Sequence, residues 1–140
     1  MDTNQQLITS MQNMARLIKR EVFLHKGCDQ SISHSEVEVM FFLKEKKTAT
    51  MKAIADHLKV KPASVTPVVE RMFKKKILTR TPDKKDRRII YISLTKGGLN
   101  MLVRKQKQMH GYIKNFFQKV SEKNKKELLK IINTIVKDYE

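Results

Sequence analysis

The spacing of apolar residues changes between residues 50 and 94, and this change limits the folds open to the chain. Apolar residues recur every three or four positions from about Thr50 to Leu58 and from Pro62 to about Lys75, which predicts two short helices joined by a tight turn. Ile77–Arg80 and Arg88–Leu94 are rich in β-prone residues and flank the turn-forming stretch Thr81–Asp86, which predicts a hairpin. The middle of the chain should therefore form a helix-turn-helix followed by two strands.

Helical spacing continues on both sides of this unit. A first helix is predicted from Asn4 to about Lys26, where Gly27 provides a stop. Ser33 and Glu36 have the spacing of a capping box and predict the start of a second helix. A long helix should cover Leu99 to Phe117, and Ser121 should cap a last one. The predicted fold is mainly α (α+β), with four helices, two strands and two helices in order.

The charge of the chain favours an anionic partner. Thirty Lys and Arg residues stand against 14 Asp and Glu, giving a formal net charge of +16, and such an excess favours nucleic acid, an anionic membrane surface or an acidic protein. The single Cys28 predicts a reducing compartment, and no apolar run is long enough to span a membrane. The absence of a signal-peptide pattern at the N-terminus then predicts a cytoplasmic protein.

The second helix of the helix-turn-helix has an outward face suited to DNA. Around this helix, Val65, Val69 and Met72 cluster on one side, while the opposite side is small, polar or basic. A recognition helix requires such a face because its first turns approach base edges. Arg71 is the residue of this face that could make a bidentate contact with guanine. The predicted contacts are Lys61, Ala63, Ser64, Thr66, Pro67, Arg71 and Lys74.

Positive charge is concentrated in the hairpin, the wing of a winged helix-turn-helix. Nine basic residues lie between Arg71 and Arg88, and Asp83 and Asp86 are the only acids there. An arginine at the tip could enter a narrow minor groove, where the negative potential is enhanced. Asp86 could pair with Arg80 or Arg88 and hold a guanidinium in one orientation. The predicted wing contacts are Arg80, Lys84, Lys85, Asp86, Arg87 and Arg88.

The hairpin also resembles the wing signature of the MarR family of bacterial regulators. That signature is Asp-x-Arg, then a strand ending in Leu-Thr, then a glycine, and here it corresponds to residues 86–98. The stretch from Ser64 to Met72 is similar to the family's recognition helix, and the order of elements agrees over essentially the whole chain. One departure is Lys76, where the family usually has glycine; a left-handed lysine there would cost roughly 1 kcal/mol. Either the chain accepts that cost or the end of the helix differs locally.

The resemblance implies an obligate homodimer whose terminal helices interlock and whose two winged domains bind a palindrome. It gives Arg88 the role of the wing arginine, Asp86 that of its support, and Ser64 and Thr66 contacts in the recognition helix. Residues 1–32 and 96–140 are then the dimerisation region, and residues 33–95 the DNA-binding domain, with the helix-turn-helix at about 50–76 and the wing at about 77–95. The apolar stripes of the terminal helices predict a dimer independently, because the central domain cannot cover them all.

The predicted function is a sequence-specific regulator of transcription, a homodimeric repressor on a palindromic operator in double-stranded DNA. Release by a small apolar or aromatic ligand is an open part of this prediction, since eight Met residues and several Phe residues could line a pocket or simply form core. The alternative is a basic architectural protein that binds nucleic acid without regulation. A membrane partner is not expected, because the apolar helix faces are better used in the dimer.

Metal binding and catalysis find little support in the sequence. His25, Cys28, His34 and His110 are the candidate metal ligands, and some members of the resembled family sense zinc near this region, but the spacing fits no standard zinc pattern. Cys28 could be a redox sensor, although only Lys26 offers an electropositive neighbour. No phosphate-binding loop or nucleophile motif is present. We therefore predict no enzyme activity, no cofactor and no metal.

Overall fold

The order of elements along the chain is the predicted one. The computed structural model describes residues 2–23 and 31–139. Its elements are α1 (Thr3–Ile18, continued by a π-helical turn at Lys19–Phe23), α2 (His34–Lys46), α3 (Met51–Leu58), α4 (Pro62–Lys74), β1 (Leu78–Pro82), β2 (Ile90–Leu94), α5 (Lys96–Phe116) and α6 (Glu122–Lys137). The predicted mainly α fold with a small β wing is confirmed. The predicted stop at Gly27 lies outside the described residues.

Local signals begin the helices where the sequence places them. At the start of α2, Ser33 Oγ accepts a hydrogen bond from the Glu36 amide at 3.3 Å, and the Ser33 amide donates to Glu36 Oε2 at 2.7 Å. Ile32 and Val37 are both buried on either side of this capping box, as a hydrophobic staple requires. Pro62 is the first residue of α4, where its missing N–H costs nothing. These contacts span three or four residues, so neighbouring side chains suffice to specify them.

Helix α2 provides the centre of the core. It packs against α3, α4, α5 and β2. Its apolar side chains cover most of its circumference, as predicted, and Val37, Val39, Met40 and Leu43 are buried. The core is mainly aliphatic, and every helix and strand from α2 to α5 contributes to it: Val39, Met40, Leu43, Ile54, Val65, Val69, Met72, Leu78, Ile92 and Leu102. The inner face of α4 is thus fixed on the core, which leaves its outer face free.

The hairpin is shifted relative to its predicted bounds. Leu78 pairs with Leu94 and Pro82 pairs with Ile90, so β1 extends two residues further than expected and β2 begins two residues later. Pro82 is tolerated because it ends an edge strand. Ile92 also forms an antiparallel bridge with Ala49, with hydrogen bonds of 2.8 and 3.0 Å. This bridge attaches the wing to the residue before the N-cap of α3, and it anchors β2 at the one position of that strand that is fully buried.

Lys76 adopts the left-handed conformation that the sequence suggested, with φ of 57°. Lys47 (φ 71°) and Lys59 (φ 56°) also have positive φ, and each follows the end of a helix. The chain therefore accepts an unfavourable backbone conformation at three lysines, where glycine would relieve it. At Lys76 the carbonyl lies 2.7 Å from Thr95 Oγ1, which donates a hydrogen bond to it.

Thr95 and Gly98 connect the wing to α5. Thr95 is the N-cap of α5, and its Oγ1 accepts a hydrogen bond from the Gly98 amide at 2.9 Å, while its own amide donates to the Ile77 carbonyl at 2.9 Å. This draws the first turn of α5 against the start of β1. A Cβ on Gly98 would lie 2.3 Å from the Ile77 carbonyl oxygen. The glycine of the Leu-Thr signature is therefore a requirement of close packing.

We expect Gly98→Ala to destabilise the protein by about 1–3 kcal/mol, because the new methyl group must displace backbone at Ile77. Gly97→Ala is the matched control, since a Cβ there meets only Thr95 Oγ1 at 3.8 Å and alanine favours the helix by roughly 0.5–1 kcal/mol. Chemical denaturation of both variants measures the difference. Equal stability of the two would contradict the close packing of Gly98 on Ile77.

The terminal helices carry apolar side chains that stay about half exposed among the described residues. On α1 these are Leu7, Ile8 and Met11, and on α6 they are Leu129, Ile131, Ile132, Ile135 and Val136. None of the helices in the described ranges combines the length and apolar composition of a membrane span. The exposed apolar residues of α1 and α6 form short stripes at helical spacing, and the other side of each helix is polar.

Candidate nucleic-acid interface

The outer face of α4 is open to solvent along its length. All seven residues predicted as contacts on this helix, Lys61, Ala63, Ser64, Thr66, Pro67, Arg71 and Lys74, are exposed. The N-cap, Lys61, makes no side-chain capping bond. Pro62 has no N–H and the Ser64 amide donates to the Lys61 carbonyl at 2.9 Å, so the Ala63 amide is the group of this turn best placed to meet a phosphate. The Thr66 hydroxyl donates to the Pro62 carbonyl at 3.1 Å and keeps its lone pairs as acceptors. The small side chains near the N-terminus allow a close approach to base edges.

The tip of the wing is an ordered loop between Pro82 and Ile90. Asp83 Oδ2 accepts hydrogen bonds from the amides of Lys85 and Asp86 at 3.0 and 2.9 Å. The Asp83 amide donates to the Ile89 carbonyl at 2.8 Å, which closes the base of the loop. Lys84, Lys85 and Arg87 are exposed around it. Asp83 therefore shapes the backbone on which the basic side chains stand.

Asp86 holds Arg88 through a fork of hydrogen bonds. Arg88 Nε lies 3.0 Å from Asp86 Oδ1 and Arg88 Nη2 lies 3.1 Å from Oδ2, while the Arg88 amide donates to Oδ1 at 3.1 Å. These bonds, the side-chain ones first, lower the pKa of Asp86 below its ordinary value. The Arg88 side chain is nevertheless 91% exposed. One of the two predicted pairings of Asp86 is thus observed, and the arginine projects from the tip in a fixed orientation.

Arg80 is engaged elsewhere, so the alternative pairing of Asp86 with Arg80 is wrong. Arg80 lies on β1, where its guanidinium pairs with Glu70 and stacks over the ring of Phe73 at 3.9 Å from the centroid. Both partners belong to α4. Arg80 lies on a strand of the wing and Asp86 lies in the loop at its tip, so the two side chains have different partners. Through Glu70 and Phe73, Arg80 connects the wing to α4. The contact of Arg80 with DNA stays a prediction.

A buried carboxylate lies behind the C-terminal half of α4. Glu36, 1% exposed, receives Lys75 Nζ at 3.0 Å on both oxygens, and Arg71 Nε lies 3.6 Å from Oε1. Burial disfavours its charged form, but the Ser33 amide, Lys75 and Arg71 outweigh that effect and lower the pKa of Glu36. The sequence identified Glu36 only as part of a capping box. Its partners, Arg71 on α4 and Lys75 at the C-cap of that helix, are 35 and 39 positions away, so local spacing could not reveal them.

The metal-ligand candidates are dispersed where they are described. His25 and Cys28 lie outside the described residues. His34 Nε2 lies 3.8 Å from Glu38 Oε1 at the start of α2, whereas His110 lines a groove between α5 and α6. Within residues 2–23 and 31–139, no group of three or more His, Cys, Asp or Glu side chains is arranged to hold a metal ion.

Comparison with known proteins agrees with this geometry. The model of the MarR family matches residues 32–90, which run from the residue before the α2 cap to the start of β2. The HTH-type transcriptional repressor MdtR of Bacillus subtilis is 33% identical over 89 residues. That alignment covers 64% of this chain, which spans 57% of the length of MdtR.

Solved structures extend the likeness of the fold to the terminal helices. The YusO protein of Bacillus subtilis superposes with a TM-score of 0.78 at 21% identity, covering 98% of this chain and 99% of YusO. Bordetella bronchiseptica BpsR, whose DNA binding is regulated by 6-hydroxynicotinic acid, gives a TM-score of 0.71 at 15% identity over 93% of this chain and 98% of BpsR. Residues 32–90 thus match the model of the MarR family, and the described chain shares its fold with these solved structures.

Proposed function

We propose that the chain is a homodimeric repressor that binds a palindromic operator in double-stranded DNA. The observation that carries this proposal is the pairing of an open, small-residue face on α4 with an arginine fixed at the wing tip. The first suits the major groove and the second suits the adjacent minor groove. In this proposal the predicted contacts on α4 position and select bases, while Lys84, Lys85 and Arg87 bind phosphates.

The exposed apolar faces of α1 and α6 support the homodimer. Leu7, Ile8 and Met11 on α1 and the apolar stripe of α6 would be buried if a second copy of the chain covered them. Residues 1–32 and 96–140 are then the dimerisation region, and residues 33–95 the DNA-binding domain. Two such domains would present their recognition helices about 34 Å apart, one turn of DNA.

Regulation by a small apolar or aromatic ligand is the second part of the proposal. A groove of about 370 Å³ between α5 and α6 is lined by apolar side chains, including Ile113, Phe117 and Leu128. Its size is within the range of small-molecule sites, and BpsR provides an example of a structurally similar protein with an aromatic acid as effector. A ligand that separates the two wings would lower the affinity for the operator.

Selection of duplexes from a random-sequence pool, followed by footprinting, tests the proposal. The wild-type protein should enrich a palindrome and protect two half-sites about one helical turn apart. An architectural protein would instead bind all duplexes with equal affinity and a steep dependence on salt. Uniform affinity across the pool would therefore contradict the proposed repressor and favour the architectural alternative.

A further inference from the structure

Glu36 forms a charged centre between the start of α2 and the end of α4. Its carboxylate is 1% exposed, yet it is fully partnered by the Ser33 amide, by Lys75 Nζ and by the charge of Arg71. Lys75 Nζ donates in addition to the carbonyl of Ser31. A buried carboxylate is costly unless it is paired in this way. The arrangement is more than a helix cap, because a capping box needs only Ser33 and an uncharged glutamine at position 36.

Arg71 connects this centre to the proposed DNA-binding face. Its side chain is 52% exposed, and Nε is the atom nearest to Glu36. Within the described ranges, the guanidinium of Arg71 makes no hydrogen bond, so its two terminal amino groups remain available. Guanine offers O6 and N7 in the major groove to this kind of donor pair. The carboxylate thus sits behind the guanidinium, on the side away from solvent.

Lys75 makes the carboxylate compatible with DNA. An unpaired acid beside the recognition helix would repel phosphates, but Lys75 neutralises Glu36 through two 3.0 Å contacts. The cluster of Glu36, Arg71 and Lys75 keeps a formal charge of +1, and the ion pair of 3.6 Å between Arg71 Nε and Glu36 Oε1 favours rotamers that keep Arg71 beside the carboxylate. Glu36 should therefore affect the orientation of Arg71 more than the overall electrostatic attraction between the protein and DNA.

We propose that Glu36 is a positioning residue for sequence recognition, which holds the guanidinium of Arg71 from behind so that its free edge meets a guanine. This inference rests on the proposed function, since it assigns to Glu36 a part in operator selectivity. It predicts opposite changes in overall affinity for DNA and in base-pair preference, whereas an effect of charge alone would change only the overall affinity. Removing the negative charge should raise the affinity for any duplex while lowering the preference for one base pair.

Glu36→Gln tests this directly, because the amide oxygen can keep the capping box while the negative charge and the acceptor beside Arg71 are lost. The probe is the duplex that the wild-type protein selects from a random pool, with each guanine replaced in turn. Wild type should discriminate against loss of the Arg71-dependent guanine by about tenfold or more. In Glu36→Gln that factor should approach one, while affinity for random duplex stays equal or increases. Glu45→Gln is the matched control, an exposed glutamate on the same helix, and it should keep the discrimination.

A double-mutant cycle with Arg71→Ala shows whether Glu36 acts through the arginine. Arg71→Ala should abolish the same guanine preference, and adding Glu36→Gln should change it no further. The inference is overturned if Glu36→Gln keeps the wild-type preference, if Arg71→Ala alters no base preference, or if Glu36→Gln weakens all duplexes in parallel with a lower Tm. Should Glu36→Gln not fold, Glu36→Gln/Lys75→Gln removes the unpaired ammonium and is judged by the same preference. A wild-type protein with no base preference overturns the proposed function itself.

Discussion

Replacing Ile135 with glutamate should dissociate the proposed homodimer and lower the affinity for a duplex carrying both half-sites by about 100- to 10,000-fold. Ile135 is 53% exposed on the apolar face of α6, so the substitution costs little within one chain. In a dimer the same position would be covered, and an unpaired carboxylate there would cost several kcal/mol. The loss of DNA affinity follows because two linked winged domains bind one palindrome far more tightly than a single domain does.

Thr134→Glu is the matched control, since Thr134 is exposed about 100° around α6 from Ile135 and outside the apolar stripe, and the change in charge is the same. Sedimentation velocity should find this variant as a dimer and Ile135→Glu as a monomer. Titration of full-site and half-site duplexes should show that Ile135→Glu loses affinity only for the full site. A dimeric Ile135→Glu protein, with operator affinity unchanged, would show that α6 is not part of the interface.

Features that depend on a few neighbouring residues could be predicted from the sequence. The capping box at Ser33 and the position of Pro62 at the start of α4 were expected, and the structure confirms them. For Lys76 the sequence left two outcomes open, and the structure shows the left-handed one. Each is decided by the geometry of a single turn of backbone. The same holds for the outer face of α4, because helical periodicity alone separates Val65 and Val69 from the exposed positions.

Features that depend on distant parts of the chain could not be predicted in the same way. The bounds of the strands shifted because the bridge between Ala49 and Ile92 helps to fix the hairpin, and no local pattern marks that pairing. The engagement of Arg80 by Glu70 and Phe73 depends on how β1 crosses α4. For this reason the residues alone left both Arg80 and Arg88 as partners for Asp86; the family resemblance favoured Arg88, and the fold shows that pair.

Removing the side chain of Arg88 should weaken operator binding by about 10- to 100-fold while the dimer and its stability remain intact. Arg88 is exposed at the wing tip, so Arg88→Ala disturbs no core contact. The loss should exceed that of one phosphate contact, since a guanidinium in a narrow minor groove meets enhanced negative potential. Fluorescence anisotropy with the selected duplex, at several salt concentrations, measures both the affinity and the number of ions released.

Lys84→Ala separates the loss of charge from the loss of a fixed guanidinium, because Lys84 is exposed at the same tip and carries the same charge. Both variants should reduce the salt slope by about one, but only Arg88→Ala should lose more affinity for the operator than for random duplex.

Asp86→Asn adds the converse case. It makes the tip more positive, yet it should weaken operator binding, because the fork that orients Arg88 loses its charge. If Asp86→Asn instead tightens binding to operator and random duplex alike, the tip attracts DNA by charge alone and the orientation of Arg88 contributes nothing.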